Sequence, residues 1–409
     1  MRSSDRRGII TLMNKDAAIL IYLVACAVHQ ATPDPRLLRG ADLLDLYKIS
    51  KKHMLTSAAA VALESAGLVR GPEDSGSRNR SSDSEAAFLF YQARGKAIRK
   101  TAAMDADRAS IFACFESSGI RYMPLKGAVL KDLYPVYGMR QMSDNDILVD
   151  PARMDDVRKI MVELGFTTEH FGTGGHDVYH KQPVSNFEMH PQLFGPGHEP
   201  RFMEYYADVW SRLEKDTDNS FGWHFTPEDF YIYMISHEYK HFAGSGTGLR
   251  SLLDTYVYLT EQTLDMDHII REMRSLGLSE FEKQQRSLAM HLFSETSALQ
   301  KAKLTEEDLG MLDYILSSGT YGTVQNSVNN KMKKMGGGLK GRFRYLYKRF
   351  FVPVRRSDPA YESFEKQYPF FYKHKLLLPL LPFCRLTRAL KSGRRRILAE
   401  IRTALGAKR

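Results

Sequence analysis

The sequence predicts an α+β fold in which a small sheet is embedded in a mostly helical chain. Apolar residues recur at spacings of three and four over much of residues 16–118 and 205–316, which is typical of helices that bury one face. Short apolar or alternating runs at 121–125, 147–149 and 185–193 are typical of strands. With 409 residues, 43% of them hydrophobic, the chain can bury a core, and global disorder is excluded.

The amino-terminal part is predicted to be helical, with helices at Ala17–Val28, Arg39–Leu46, Leu55–Ala66 and Glu85–Ser118. Ala17–Val28 is apolar and follows basic residues, as a targeting segment would. At about a dozen residues it is too short to span a bilayer, and no small-residue cleavage site follows it. It is therefore predicted to be a buried first helix.

The next elements are predicted as strand, glycine turn and helix. The apolar run Arg121–Leu125 precedes Gly127, and Ala128–Leu133 has helical character. A second strand is predicted at Ile147–Val149. Pro151 then starts a helix at the position where proline is favoured.

A third strand is predicted at Ser185–Leu193. Phe187 and Met189 alternate there with Glu188 and His190, so the polar pair should lie on one face of the sheet. The histidine-rich stretch from His170 to His198 has irregular spacing and several glycines. It is predicted to be mostly a mobile loop near an acceptor substrate, and a metal site is the less favoured alternative.

Composition divides the chain into four predicted regions: a helical region at 1–104, a sheet-containing core at 105–200, a second helical region at 201–330 and a basic tail at 331–409. The net charge is +10, from 58 Lys and Arg against 48 Asp and Glu. The tail alone has 22 basic and 4 acidic residues, so it carries +18 and the remainder carries −8. Three interpretations of the tail stay open: packing on the acidic body, contact with an anionic membrane surface and nucleic-acid binding.

Three cysteines are too few for a disulfide framework or a cysteine-based zinc module. The sequence therefore predicts a reducing compartment and a cytoplasmic location, with membrane association of the tail as an addition.

The most informative motif is an acidic pair at the start of the second strand. Asp144 and Asp146 are separated by one residue, so in an extended chain both side chains point to the same face. Two carboxylates so close repel each other, and a divalent cation such as Mg²⁺ relieves the repulsion. An isolated Asp-x-Asp is more often a solvated turn. The preceding glycine and helix, and Glu188 on a later strand, favour a metal site here.

Positive and anion-binding groups lie near this pair in the sequence. Gly127 heads a helix, where free backbone N–H groups favour phosphate. Lys126 and Arg140 add fixed positive charge. A metal pair beside a phosphate-binding turn predicts phosphoryl or nucleotidyl transfer, which mainly requires positioning and charge neutralisation.

With these motifs, the chain resembles a bacterial nucleotidyltransferase family within the DNA polymerase β-like superfamily. The residues that match the superfamily pattern are Gly127, the Ser-Asp-Asn-Asp segment Ser143–Asp146, and Glu188. The likeness extends from about residue 13 to 388. Further matching residues are Leu125, Lys126, Tyr134, Arg140, His190, His237–His241, Arg250, Asp254, Tyr368, Pro369, Leu377–Pro382 and Arg385.

The resemblance implies a minimal mixed sheet flanked by helices, two Mg²⁺ ions (with Mn²⁺ as an alternative) and a nucleoside triphosphate (NTP) donor. It implies that Asp144 and Asp146 hold both metals, and that Glu188 completes one site and activates the acceptor hydroxyl. The predicted nucleotide-binding residues are Lys126, Gly127, Arg140, Ser143 and Lys240. The acceptor stays open between a small molecule, a glycan intermediate, RNA such as tRNA, and a protein side chain.

Lys126 stands where the superfamily usually has a small residue. This departure leads to a second hypothesis, a degenerate nucleotidyltransferase fold that binds a nucleotide or partner without turnover.

A third hypothesis rests on a zinc-hydrolase pattern, H-E-x-x-H, at His237, Glu238 and His241. On a helix the two histidines share a face and can bind Zn²⁺ while the glutamate acts as base. Thr247 stands at the third-ligand position of the longer pattern, so Asp254 or Glu261 would have to replace it. The plainer interpretation is that the histidines help to pack or polarise the helix. A further alternative is that Lys240 or His241 lines the nucleotide cleft and contacts the triphosphate.

Overall fold

A computed structural model of the chain describes residues 14–69, 82–172, 175–195, 197–350, 353, 361–385, 387, 399–400 and 402–406. The described residues form two compact units. The first contains the chain up to Lys240 together with Gly248–Thr320, and the second contains His241–Thr247 and the chain from Tyr321 onward. The four regions inferred from composition stay a prediction.

The first unit is mostly helical. Its helices are α1 Lys15–Val28, α2 Leu43–Lys52, α3 Thr56–Ser65, α4 Ser82–Ser118, α5 Gly127–Leu130, α6 Met154–Glu163, α7 Pro200–Tyr205, α8 Pro227–Phe242, α9 Leu249–Glu261, α10 Met266–Ser275, α11 Ser279–Phe293, α12 Ala298–Lys301 and α13 Glu306–Ser318. The last two residues of α8 are grouped with the second unit.

The first two helices test the sequence pattern directly. Every residue of α1 from Ala17 to Ala27 is buried, which confirms the predicted buried first helix. Helix α2 begins later than predicted because the Asp42 carboxylate accepts hydrogen bonds from the N–H groups of Leu44 and Asp45. This N-cap fixes the start of the helix at Leu43.

Within the described residues the strands form two sheets. The larger contains β1 Tyr122–Pro124, β2 Asn145–Val149, β3 Thr167–His170, β4 Asp177–Lys181 and β5 Ser185–His190, in the spatial order β1-β2-β5-β4-β3. Only β2 and β5 are parallel, so the sheet is mixed. The smaller sheet is the antiparallel pair β6 Leu213–Lys215 and β7 Trp223–Phe225. The predicted α+β fold with a small mixed sheet is therefore confirmed.

The two faces of the central strands differ in chemistry. One face packs in an apolar cluster that contains residues of α4 and α6. The residues that β2 and β5 contribute to it are Ile147, Val149, Phe187 and Met189. Leu148, on the opposite face of β2, packs in a second cluster that contains residues of α8. Alternation therefore confirms the predicted polar face of β5 and directs Asp146, Glu188 and His190 to one side of the sheet.

Strands β3 and β4 were not predicted, and the expectation of a mostly mobile loop through this part of the chain is wrong. Strand β4 pairs with β5 over five residues and with β3 on its other side. Its sequence has only Val178 and Tyr179 as strong strand formers, with polar residues around them. Pairing with its neighbours, and burial of Tyr179, define this strand more than its own residue pattern does.

The second unit contains α14 Val324–Lys334, α15 Gly338–Phe350, α16 Tyr361–Gln367 and α17 Pro369–Lys373, followed by a 3₁₀ segment at Lys375–Leu380. Small apolar clusters hold it together, one around Val328 and Tyr345 and another around Tyr372 and Leu381. Several residues of the basic tail lie outside the described ranges. No helix in the described part of the chain is long and apolar enough to cross a membrane.

Candidate functional site

Three carboxylates predicted from the sequence lie on one face of the sheet. Asp146 pairs directly with Glu188 across the parallel strands β2 and β5. Asp144 immediately precedes β2, two residues before Asp146 and on the same face. Burial and the nearby charges of Asp146 and Glu188 raise the pKa of Asp144 to about 6. Burial is the larger cause of this shift, and the neighbouring carboxylates add to it.

Lys126 forms an ion pair with one of these carboxylates. Its Nζ lies 2.5 Å from Asp146 Oδ1. Burial alone would lower the pKa of Lys126, but Asp146 raises it above its ordinary range. Burial likewise acts to raise the pKa of Asp146, while Lys126 and a hydrogen bond with His190 lower it below its ordinary range. Both groups are therefore charged at neutral pH.

The backbone around Lys126 is held in an uncommon conformation. Its φ is +48°, in the left-handed region that a residue with a side chain seldom adopts. The Leu125 N–H donates to the Asp146 carbonyl oxygen at 2.9 Å, which ties this turn to β2. Such a conformation persists only where its surroundings fix it. The turn between β1 and α5 thus positions Lys126 against Asp146.

Two histidines extend the site beyond the sequence-based prediction. His190 Nε2 lies 2.9 Å from Asp146 Oδ1 and 3.6 Å from Glu188 Oε2. His176 Nε2 lies 3.4 Å from Glu188 Oε2. Burial acts to raise the pKa of Glu188, but the hydrogen bond with His190 lowers it overall. The alternation in β5 indicates that His190 lies on the polar face, whereas the sequence indicates His176 only as one member of a histidine-rich stretch with irregular spacing.

Further cations surround the carboxylates. Burial lowers the pKa of Lys240, near the end of α8, to about 8, and the charge of Lys126 adds to the decrease while Asp146 and Glu188 oppose it. Arg250 donates to the Gln141 carbonyl at 3.1 Å and interacts electrostatically with Asp144. Lys100 donates to the Ser143 carbonyl at 2.7 Å. These cations make the site suitable for a polyanion such as a triphosphate.

Arg140, predicted as a phosphate ligand, lies in a buried ion pair. Its Nε and Nη2 donate to the two oxygens of Asp254 at 2.8 and 2.9 Å. The Tyr134 hydroxyl donates to the same carboxylate at 2.6 Å. Arg140 therefore joins the segment before β2 to helix α9. Its predicted role in nucleotide binding stays a prediction.

Gly127 has a packing role that the sequence did not show. A Cβ at this position would lie 2.6 Å from Arg140 Nη1 and 3.2 Å from Met142 Cε, so glycine leaves room for both side chains. Helix α5 has only four residues, and a 3₁₀ turn at Lys131–Leu133 follows it. The phosphate-binding role predicted for Gly127 would therefore rest on a single helical turn.

The zinc-hydrolase pattern does not form a three-ligand group in the described structure. His237 and His241 both lie on α8, but among the described residues neither belongs to a cluster of three potential metal ligands. Asp254, the suggested third ligand, is bound to Arg140 and Tyr134. This leaves the packing interpretation of the two histidines as the simpler one.

A mixed sheet that brings three carboxylates together on one face, with cations around them, is the arrangement expected of a nucleotidyltransferase. A family model described as "uncharacterised nucleotidyltransferase" matches residues 39–294. The match covers more than half of the chain and includes all three carboxylates, so the chain belongs to this family. Comparisons with curated proteins and with solved structures found no significant match. The resemblance seen in the sequence is confirmed.

Proposed function

We propose that the chain is a metal-dependent nucleotidyltransferase that moves a nucleotidyl group from an NTP to a hydroxyl of an acceptor. The observation that carries this proposal is the convergence of Asp144, Asp146 and Glu188 on one sheet face, with Lys126 and Lys240 nearby. Membership of a nucleotidyltransferase family supports the general reaction class.

The carboxylates fit Mg²⁺, with Mn²⁺ as an alternative. Oxygen ligands are the ones these ions prefer. The charges of Asp146 and Glu188 add to the effect of burial in raising the pKa of Asp144, so a cation bound there would relieve their repulsion. Asp144, Asp146 and Glu188 would hold the metal. A bound divalent ion supplies charge neutralisation and orientation of the triphosphate.

The side chains around the carboxylates would bind and orient the reactants. Lys126, Lys240 and Arg250 provide positive charge for the triphosphate. Glu188 is ionised at neutral pH because its pKa is lowered. We assign to it the role of accepting the proton of the acceptor hydroxyl, in addition to binding metal.

The proposal is tested by incubating the purified chain with each α-labelled NTP, Mg²⁺ or Mn²⁺, and a cell extract that supplies the acceptor. Label should move to a product and pyrophosphate should be released. Glu188→Gln keeps the size of the side chain and should reduce transfer by orders of magnitude while NTP binding weakens only modestly. Absence of label transfer with all four NTPs, or undiminished transfer by Glu188→Gln, would contradict the proposal.

A second candidate function is nucleotide binding without turnover. The Lys126–Asp146 ion pair favours it, because an ammonium group already neutralises one carboxylate of the metal pair. This alternative predicts NTP binding that persists in a chelator and yields no labelled product.

We also propose peripheral contact between the basic tail and the cytoplasmic face of a membrane. In the second unit Leu376 is 96% exposed and Phe383 is 68% exposed. Lys373 and Lys375, which shortly precede Leu376 in the chain, are also exposed. Exposed apolar side chains among cations are typical of a surface that binds anionic lipid.

A further inference from the structure

His176, Glu188 and His190 form a group that the proposed transfer reaction uses only in part. The Glu188 Oε2 atom lies 3.4 Å from His176 Nε2 and 3.6 Å from His190 Nε2. All three ligand atoms lie within 4.8 Å of one another. Among the residues described, this is the single cluster of three such side chains.

The sheet itself brings these side chains together. Glu188 and His190 are two residues apart on β5 and share a face. Strand β4 runs antiparallel to β5, with Val178 opposite Glu188 and Asp177 opposite Met189. Continuing this pairing by one residue brings His176 opposite His190, and their ring centroids are 4.8 Å apart. The ligands thus come from two adjacent, paired strands.

The donor atoms are those of a transition-metal site. Two imidazole nitrogens and one carboxylate oxygen suit Zn²⁺ and related ions, whereas Mg²⁺ prefers oxygen ligands alone. A tetrahedral ion with bonds of about 2.1 Å sets its ligands about 3.4 Å apart. The two measured distances to Glu188 agree with that separation.

We propose that His176, Glu188 and His190 bind a divalent transition-metal ion, with Zn²⁺ preferred over Mg²⁺. This site goes beyond the proposed transfer reaction, because binding through the two imidazoles can be measured whether or not the chain turns over an NTP. It shares Glu188 with the proposed Mg²⁺ site, so the identity of the metal would decide how that carboxylate is used.

Asp146 lies at the edge of this group. Its Oδ1 is 2.9 Å from His190 Nε2, the same nitrogen that faces Glu188. A metal ion on that nitrogen would replace the hydrogen bond and have Asp146 beside it as a further oxygen donor. The proposed ion would therefore connect β4 and β5 to the acidic strand β2.

Co²⁺ is a suitable probe because its visible absorption reports coordination by nitrogen and oxygen. The full-length protein, stripped of metal with a chelator, should bind about one Co²⁺ per chain with d–d bands of a four- or five-coordinate ion. Stoichiometric Zn²⁺ should abolish these bands, whereas millimolar Mg²⁺ should not. His176→Ala and His190→Ala should each weaken Zn²⁺ binding by at least about tenfold.

His180→Ala is the matched control, since His180 lies on β4 but contacts Glu169 instead of the cluster. It should retain the Co²⁺ spectrum and Zn²⁺ affinity. Because His190 is buried, His176→Gln is the variant to use if His190→Ala does not fold. Zn²⁺ affinity unchanged in the His176 variants, or lost equally in His180→Ala, would overturn the proposal. Zn²⁺ binding without label transfer would overturn only the proposed transfer reaction. Label transfer without a Co²⁺ signal would overturn only the proposed transition-metal site.

Discussion

Lys126 Nζ lies 2.5 Å from Asp146 Oδ1, so an ammonium group is bound to a carboxylate that is expected to hold metal. Asp146 is almost completely buried, whereas the Lys126 side chain is about one-fifth exposed. A divalent ion that binds Asp146 through Oδ1 would therefore compete with Lys126. Lys126, which stands where the superfamily usually has a small residue, therefore adds positive charge next to Asp146.

Replacing Lys126 with methionine tests this competition. Lys126→Met removes the ammonium group but keeps much of the side-chain length. We expect Mn²⁺ to bind at least about tenfold more tightly, about 1.4 kcal/mol, because the fixed competitor is gone. NTP affinity should fall, because a cation near the triphosphate is also lost. Electron paramagnetic resonance of free Mn²⁺ and calorimetry with an NTP measure the two effects.

Lys131→Met is the control for this substitution. Lys131 is also largely buried, but its Nζ contacts Asp132 and Asp105 instead of Asp146. Its removal should leave Mn²⁺ affinity unchanged. Equal Mn²⁺ affinity in wild type and Lys126→Met would show that the ion pair does not restrict the metal site.

Asp144→Asn and Asp146→Asn should both abolish transfer but should differ in stability. Asp146→Asn leaves Lys126 and His190 without their charged partner, so it should destabilise the chain by about 1–3 kcal/mol. This cost is lower than that of breaking a fully buried ion pair, because Lys126 is partly exposed. Asp144→Asn should be neutral or stabilising in the metal-free protein at pH 7.5. Urea unfolding in EDTA measures both free energies of unfolding.

The different expectation for Asp144 follows from the direction of its pKa shift. The pKa rises from an ordinary value of about 4 to about 6 in the folded chain. The folded chain therefore binds the proton of Asp144 more tightly than the unfolded chain. This tighter proton binding stabilises the fold at low pH, and the stabilisation is lost as pH rises through about 6. Asp144→Asn removes that pH dependence. If the two variants had equal stability at pH 7.5, the assigned charge distribution would be wrong.

The sequence could not separate these two aspartates. Their spacing predicted a shared face, and the structure brings them to the same side of β2. Which of them is neutralised depends on the turn that brings Lys126 against Asp146, a contact between residues 20 positions apart. Periodicity describes which face a side chain occupies, but it does not describe its tertiary partner.

Lys240 should give nucleotide binding a pH dependence. Burial lowers its pKa to about 8, so it is protonated at pH 7 and loses its charge as pH rises through about 8. NTP affinity should therefore fall between pH 7 and 9.5. Lys240→Arg keeps the positive charge over this range and should flatten the profile, as calorimetry at several pH values would show.

Lys283→Arg, at an exposed position on α11, is the control and should keep the wild-type profile. A profile for Lys240→Arg that matched wild type would exclude Lys240 from nucleotide binding.

Arg140→Met should destabilise the fold more than it alters the chemistry of the site. It leaves the buried Asp254 with the Tyr134 hydrogen bond and the nearby charge of Arg250, and loss of one partner of a buried pair costs about 3–5 kcal/mol. Arg121→Met breaks the more exposed pair with Asp150 and should cost about 1 kcal/mol or less. Denaturant unfolding compares the two. Equal stabilities, with NTP binding lost only in Arg140→Met, would instead support the phosphate-binding role predicted from the sequence.

The two site histidines differ in how well the sequence predicts their positions. His190 was predicted on the polar face because it alternates with Phe187 and Met189 on a strand with a clear pattern. His176 lies just before β4, whose pattern is weak, and it reaches the site only because β4 pairs with β5. The residue pattern of β4 does not predict a strand, because its pairing with β5 defines it. The sequence therefore could not predict that His176 and His190 lie together.

The exposed apolar side chains of the second unit should determine binding to anionic vesicles. Leu376→Ser combined with Phe383→Ser removes two exposed apolar groups without changing the net charge. Burial of such a side chain in the membrane interface contributes about 1.5–3 kcal/mol, so the double variant should bind at least about tenfold more weakly. The assay is flotation with vesicles of phosphatidylglycerol and phosphatidylcholine, with added salt weakening the wild-type interaction.

The control for vesicle binding is Val162→Ser. Val162 is 54% exposed on α6, outside the basic tail, and its substitution should not change flotation. Equally strong wild-type binding to pure phosphatidylcholine would exclude a role for the positive charge of the tail. Wild-type affinity in the double variant would exclude a role for Leu376 and Phe383. Tight binding of RNA in place of vesicles, with the same salt dependence, would assign the positive charge of the tail to nucleic acid, because phosphate contacts need the lysines and arginines but not Leu376 and Phe383.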